Sequence, residues 1–364
     1  MKLGVAAAVI GDTLVSGDVE LDGDRIVRYG IAGATGRGTA VPGFVDLQVN
    51  GFADVDFLRA DADGYRRAGT ALLETGVTSY LPTLISAPEP ELVAALAAIP
   101  LDSDGGPRVL GAHVEGPFLS PRRRGVHPAS ALRDPDPALL ERLLAAGPVR
   151  LVTLAPELPG ADELIDLLSA RGVAAAIGHT DATAAQAHAA FDRGACCVTH
   201  LFNAMRPLGH RDPGVVGAAL ARPDVTVSII LDGYHLASET VAFVWRAAAG
   251  RVTLVTDAVA GAGASDGSYS LGDTDVEVAG GVARGPNGEL AGSVLTMIEA
   301  IRNLVALGAQ LSEAVNAATA VPARVIGEKY AGRLDAGLPA DLVVLDDHLE
   351  IEKVFVGGRA LVVA

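Results

Sequence analysis

Apolar and polar positions in this chain follow two regimes. Up to about residue 40, and again from residue 341 onward, apolar residues alternate with polar ones in short runs broken by turn residues. Val19-Glu20-Leu21 and Arg25-Ile26-Val27 flank Asp22-Gly23-Asp24, and Asp-Gly between alternating runs signals a hairpin. Residues 341–345 read as a strand, and 351–356 and 360–363 flank a Gly357-Gly358 turn. Neither end carries enough apolar residues for a core of its own. The pattern therefore predicts that both termini, 1–41 with 335–364, pack together as one small β-sandwich domain.

Between these ends the period changes. Apolar runs at 43–49, 77–84, 108–114, 149–154, 173–177, 197–201, 225–231 and 252–255 read as buried strands. Helical stretches at 90–98, 138–146, 161–170, 182–192 and 238–249 separate most of them. Such alternation predicts an α/β fold with a parallel sheet. Eight strands in this order predict a closed (β/α)8 TIM-type barrel over 42–334, with its active site at the C-terminal strand ends. An open Rossmann-type sheet is the alternative, but no glycine-rich fingerprint follows any strand. Residues 268–293, glycine-rich with Val276-Glu277-Val278 and Asn287-Gly288, read as a β-hairpin inserted after the last strand.

Half of the 364 residues are apolar, enough for a large core. The net charge of −16 argues against nucleic-acid or membrane-surface partners, which would be repelled at long range. An anionic substrate would then need a locally basic pocket. The first apolar run, 3–10, is short and leads into Gly11-Asp12 rather than a cleavage site, and no run reaches the length of a membrane span. The two cysteines, Cys196 and Cys197, are adjacent and exclude a disulfide framework; a cytoplasmic chain is expected.

Ionisable residues gather at the predicted strand ends. His113-Val114-Glu115 ends the third strand, Gly178-His179-Thr180 follows the fifth and Thr199-His200-Leu201-Phe202-Asn203 closes the sixth. Asp232-Gly233-Tyr234-His235 and Thr256-Asp257-Ala258 follow the seventh and eighth. A lone histidine at a strand end is ordinarily a structural hydrogen-bonder. Four of the eight histidines, with a glutamate and an aspartate, at successive strand ends of one barrel point instead to a shared site. Glu115, His179 and His200 form a two-nitrogen, one-carboxylate set that leaves a metal position open for water. Asp257 is placed to act as a base, and His235 or His127 to polarise a carbonyl. His113, two residues before Glu115, points to the same side one layer deeper and is expected to be structural. Cys196 and Cys197 point to opposite faces of a strand and cannot easily share a metal. Arg122-Arg123-Arg124, in the loop after Glu115, is either a solvated face or a basic lid.

At these residues the chain resembles the amidohydrolase superfamily and, within it, the N-acetylglucosamine-6-phosphate deacetylase branch. The resemblance spans nearly the full length. Its motifs are Pro42-Gly43-Phe44-Val45-Asp46, His113 to Pro117, Gly125-Val126-His127 and Gly178-His179-Thr180. Further on come Thr199-His200-Leu201-Phe202-Asn203-Ala204-Met205, Arg211-Asp212-Pro213-Gly214, Asp232 to His235, Thr256-Asp257-Ala258 and Leu290-Ala291-Gly292-Ser293. The resemblance implies that Glu115, His179 and His200 bind a divalent metal, with Asp257 as general base and acid and His127 polarising the acetyl carbonyl. It implies that Asn203, the backbone of Ala204 and His235 hold a phosphorylated amino sugar. Arg211 would bind the phosphate, plausibly from the neighbouring subunit of a homodimer. One departure matters: where many amidohydrolases carry His-X-His for a second metal, this chain has Gln48-Val49-Asn50. Neutral amides are poor zinc ligands beside imidazole and carboxylate, so one metal per subunit is expected. Zinc is favoured, and iron(II), manganese and cobalt also suit the site.

Rival functions are a deacetylase of another N-acyl sugar, such as N-acetylgalactosamine 6-phosphate or an unphosphorylated sugar, and a catalytically silent scaffold barrel. Intact Glu115, His179, His200 and Asp257 weigh against decay. A cyclic-amide hydrolase with a carboxylated lysine is disfavoured, since Lys2, Lys329 and Lys353 all fall away from barrel strand ends.

Overall fold

The computed structural model describes residues 1–33, 36–101 and 105–362. Eight parallel strands form its centre: β1 (Phe44–Val49), β2 (Val77–Ile85), β3 (Ala112–Glu115) and β4 (Val149–Leu154), then β5 (Ala174–Ile177), β6 (Ala195–Val198), β7 (Thr226–Ile229) and β8 (Val252–Leu254). Each pairs in parallel with the next. Helices cover the outside, so β1 and β2 are buried at every position, as expected of strands covered on both faces. Caps fix several helix starts: the Asp61 side chain accepts from Gly64 N–H, and Thr183/Gln186 and Thr296/Glu299 form capping boxes.

The regular ladder stops between β8 and β1, and a side chain closes the seam. Asp46 is fully buried; its carboxylate accepts the Thr256 hydroxyl at 2.6 Å and the N–H groups of Gln48 and Thr256 at 3.2 and 3.3 Å. Beside it, Asp257 N–H donates to the Gln48 carbonyl at 2.9 Å and Asn50 N–H to that of Ala258 at 2.8 Å. An isolated parallel bridge joins Val49 to Ala258. The barrel is thus closed by a buried acid where strand pairing alone does not reach.

Three sequence expectations need correction. The third strand, expected over 108–114, is broken into Arg108–Val109 and Ala112–Glu115. Gly111 lies between them at φ +130°, where a Cβ would meet the Pro148 carbonyl oxygen at 2.4 Å. The sixth strand ends at Val198 rather than residue 201, so His200 lies in the turn beyond it. The insertion is a three-stranded meander, Gly267–Leu271, Thr274–Ala279 and Val282–Arg284, rather than one hairpin. Its second turn is Gly280-Gly281, both at positive φ as such tight turns demand, and Asn287-Gly288 falls after the last strand. Helices Ala62–Glu74, Gly214–Leu220 and Met297–Ala306 go beyond the sequence pattern.

The termini form a separate six-stranded sheet in the order Thr13–Ser16, Ala7–Ile10, Thr39–Pro42, Leu342–Leu345, Ile351–Val356 and Arg359–Val362. Val363, expected in the last strand, lies outside the described residues. The hairpin Asp18–Asp22 and Arg25–Ile31 packs on this sheet through Val19, Leu21 and Ile26 against Leu342, Val344 and Phe355. No helix among the described residues is long and apolar enough to cross a membrane.

Burial pushes the Asp46 carboxyl up to about 7 despite its hydrogen bonds. Between roughly pH 4 and 7 the native state therefore holds a proton that the unfolded chain has released, and this group's contribution to stability falls as pH rises through that window. Asp46→Ala is expected to lose about 2–4 kcal/mol, because the N–H groups of Gln48 and Thr256 are left without an acceptor while the Thr256 hydroxyl keeps only the Gln48 carbonyl at 3.3 Å, and to flatten that part of the pH–stability curve. Urea unfolding of the metal-depleted protein from pH 4 to 8 measures both effects.

Candidate active site

The strand ends deliver the expected side chains to one mouth. Glu115 closes β3, His179 and His200 lie two residues beyond β5 and β6, and Asp257 three beyond β8. His179, His200 and Asp257 all have positive φ, at 45°, 31° and 50°. Such conformations cost non-glycine residues about 1–3 kcal/mol each and persist only where neighbours enforce them. Here the His179 carbonyl accepts from Ser120 N–H at 2.9 Å, the Ser228 hydroxyl accepts from His200 N–H at 2.7 Å, and the Asp257 carbonyl accepts from Ser293 N–H at 2.8 Å.

Glu115 Oε1 lies 3.2 Å from His179 Nε2 and 3.1 Å from His200 Nε2, and the two nitrogens are 3.0 Å apart. His179 Nδ1 is 2.9 Å from the Arg123 carbonyl, which can only accept. His179 therefore carries its proton on Nδ1 and presents a lone pair at Nε2. One ligand atom from each of the three buried residues falls within 4.8 Å of the others. Burial would raise the Glu115 carboxyl, yet the two histidines hold it well below the usual range; Glu115 in turn outweighs burial and raises His200. Two imidazole nitrogens crowded on one carboxylate oxygen is a poor arrangement for neutral groups and a fitting one for a bound divalent cation.

Gln48 and Asn50 lie on the β1 side of this cluster. Gln48 Nε2 donates to Glu115 Oε1 at 3.2 Å, and Asn50 Nδ2 donates to Asp257 Oδ1 at 2.7 Å. Because an ionised carboxylate only accepts, both amides must turn their NH2 groups inward. Donors thus stand where a second cation would need lone pairs. Burial first, and then the charge of Glu115, push Asp257 up to about 6.

His127 comes from the loop after β3. Its Nδ1 accepts Ser86 N–H at 3.2 Å and lies 2.9 Å from the Ser86 hydroxyl. A backbone N–H cannot accept, so Nδ1 is unprotonated and Nε2–H faces the cluster, 3.9 Å from Glu115 Oε2. Burial holds this ring down to about 3, neutral at any working pH. His235 Nδ1 donates to Asp232 Oδ2 at 2.7 Å, which aims the ring by its other nitrogen.

Asn50, Glu115, His127, His179, His200, His235 and Asp257 line a cavity of about 340 Å3, joined by Asn203, Ala204, Arg122 and Arg123, and by Leu271 and Glu289 from the insertion region. Arg211 is not brought there: it is exposed, with its guanidinium 2.5 Å from His210 Nε2. His113 stays a layer below, 2.7 Å from the Thr153 hydroxyl and 3.3 Å from that of Thr83. Cys197 is buried and Cys196 half-buried, both outside the cavity lining. Reading strand ends for ionisable residues passed over Ser86, whose only signal was a polar residue one position beyond β2. It marked Asp232 in the same run as His235 but gave it no role, and the structure makes it the carboxylate that holds the His235 ring.

A family model described as the amidohydrolase family matches residues 39–361. An N-acetylglucosamine-6-phosphate deacetylase from Rattus norvegicus is 41% identical over 337 residues, covering 87% of this chain and 82% of that protein. An N-acetylgalactosamine-6-phosphate deacetylase from Escherichia coli O157:H7 is 37% identical over 325 residues, covering 87% and 86%. Among solved structures, a mutant N-acetyl-D-glucosamine-6-phosphate deacetylase from Mycobacterium smegmatis, in complex with N-acetyl-D-glucosamine-6-phosphate, superposes with a TM-score of 0.91 at 38% identity, covering 98% of each chain.

The hydrogen bonds of His127 lead to a direct check. Nitrogen-15 NMR of histidine-labelled protein is expected to show this ring as the neutral Nε2–H tautomer throughout pH 5 to 8, with no titration.

Proposed function

Because this chain belongs to the amidohydrolase family, we propose that it hydrolyses the acetamide of N-acetylglucosamine 6-phosphate, giving glucosamine 6-phosphate and acetate in cytoplasmic amino-sugar catabolism. The observation that carries the reading is the convergence of Glu115, His179 and His200 on one point with Asp257 and His127 beside it. Glu115, His179 and His200 would hold one divalent cation, zinc by the mixed nitrogen and oxygen donor set, with iron(II), manganese or cobalt also suited. Bound there, it supplies Lewis acidity that polarises a carbonyl and acidifies water. Gln48 and Asn50, turned as donors, support one cation rather than two.

Asp257 takes the proton of the attacking water and returns it to the leaving amine. Asn50 fixes Oδ1 of that carboxylate, which leaves Oδ2 for proton transfer. The Nε2–H of His127 donates to the acetyl oxygen as negative charge develops on it, and the low dielectric of the buried site strengthens that bond. Asn203, the backbone of Ala204 and His235 hold the phosphosugar. Arg211, remote from the cavity of its own chain, would serve the phosphate of a partner copy in a homodimer; its planar fork bonds two oxygens at once.

Asp257→Asn is expected to retain metal while kcat falls by about 10²–10⁴, and His200→Ala to lose both metal and turnover; metal analysis and acetate release on the same samples separate them. An active Asp257→Asn enzyme would remove Asp257 as base. Because Asp257 must be ionised, kcat/KM should rise with pH along an acid limb centred at or below about 6, since a bound cation favours the ionised form.

The substrate is tested by acetate release from N-acetylglucosamine 6-phosphate, its galactosamine epimer and N-acetylglucosamine. Fastest release from the first supports the reading, a preference for the epimer reassigns the sugar, and release from none removes the deacetylase.

A further inference from the structure

Permanent cations are scarce at the cavity mouth: among the described residues lining it they are Arg122 and Arg123. A chain of net charge −16 repels a phosphate at long range, so a local cation has to offset that field where the substrate lands.

The arginines of this turn are engaged very differently. Arg123 Nε donates to Asp181 Oδ1 at 2.9 Å, and the backbone carbonyl of the same residue accepts from His179 Nδ1. Arg124 turns back, donating to the His127 carbonyl at 2.8 Å, and does not line the cavity. Arg122 meets Asp181 only at 3.4 Å, and its side chain is 82% exposed. An exposed contact that long contributes little, so this guanidinium can change partner at small cost.

The backbone beneath it is held firmly. Pro121–Arg123 forms a single 3-10 turn, Arg123 N–H donates to the Ser120 carbonyl at 2.9 Å, and Ser120 N–H donates to the His179 carbonyl at 2.9 Å. Arg122 is therefore an uncommitted guanidinium on a fixed stem, one residue from the group that orients His179.

We propose that Arg122 binds the substrate phosphate from within the same chain and so sets the preference for phosphorylated over unphosphorylated amino sugar. This assignment rests on the deacetylase reading above. It differs from the expected role of Arg211, which needs a second copy, in that one chain already carries a phosphate ligand at its own mouth.

The test compares kcat and KM of the metal-loaded parent, Arg122→Gln and Arg122→Lys on N-acetylglucosamine 6-phosphate and on N-acetylglucosamine. In Arg122→Gln the ratio of kcat/KM for the two sugars is expected to fall about tenfold or more through KM, the effect of losing a charge-assisted pair, and Arg122→Lys should recover part of it. An unchanged ratio overturns the proposal. An equal loss on both sugars overturns it too, since that would mark the turn as a support for His127 and His179. A parent enzyme that deacetylates both sugars equally well removes the phosphate preference itself, and one that releases acetate from neither sinks the underlying reading.

Discussion

A single buried carboxylate oxygen, Glu115 Oε1, organises the mouth of this barrel. It gathers His179, His200 and the amide of Gln48 within 3.2 Å, and the residue is 2% exposed. A charge so far from water must be compensated by neighbours, and every compensating group arrives from a different strand end. The position of each of those ends is therefore coupled to the others through one atom. That coupling explains why second-layer groups hold the ligands both by ring and by backbone, the Arg123 carbonyl on the His179 imidazole and the Ser228 hydroxyl on the His200 N–H.

The same logic separates the two acids of the site. Glu115 is surrounded by imidazoles and stays ionised, whereas Asp257, nearby and equally buried, feels Glu115 as a like charge and is raised. Environments that push two carboxyl groups apart in this way divide their tasks, one to hold a cation and one to carry a proton. Asn50 moderates the second by donating to it, while Gln48 reinforces the first. The two amides at the end of β1, Gln48 within it and Asn50 just beyond, thus act as fixed donors beside the cluster.

Much of this was legible in the chain because barrel topology turns sequence order into spatial convergence. Strand ends could be read from apolar runs, so the ionisable residues following those runs could be collected into one set without knowing any distance. What escaped was information held between elements. The break at Gly111 depends on the neighbouring Pro148 carbonyl, and the early end of β6 depends on Ser228 capturing the His200 N–H. Ser86 has no chemistry of its own to mark it; it matters because the loop carrying His127 folds back onto it and its hydroxyl also reaches the Glu115 carbonyl. Arg211 was the opposite case, a motif residue whose expected partner lies beyond a single copy of the chain.

The terminal sheet has a consequence for how the molecule comes into being. Thr39–Pro42 lies between Ala7–Ile10 and Leu342–Leu345, so neighbouring strands of one sheet are synthesised roughly 300 residues apart. During translation the early strands wait, with one hydrogen-bonding edge unpaired, until the whole barrel has emerged behind them. The sheet cannot be completed before the C-terminal strands are made, so it is a clasp whose second half arrives last, and until then the open edge of Thr39–Pro42 is available to a second copy of the chain.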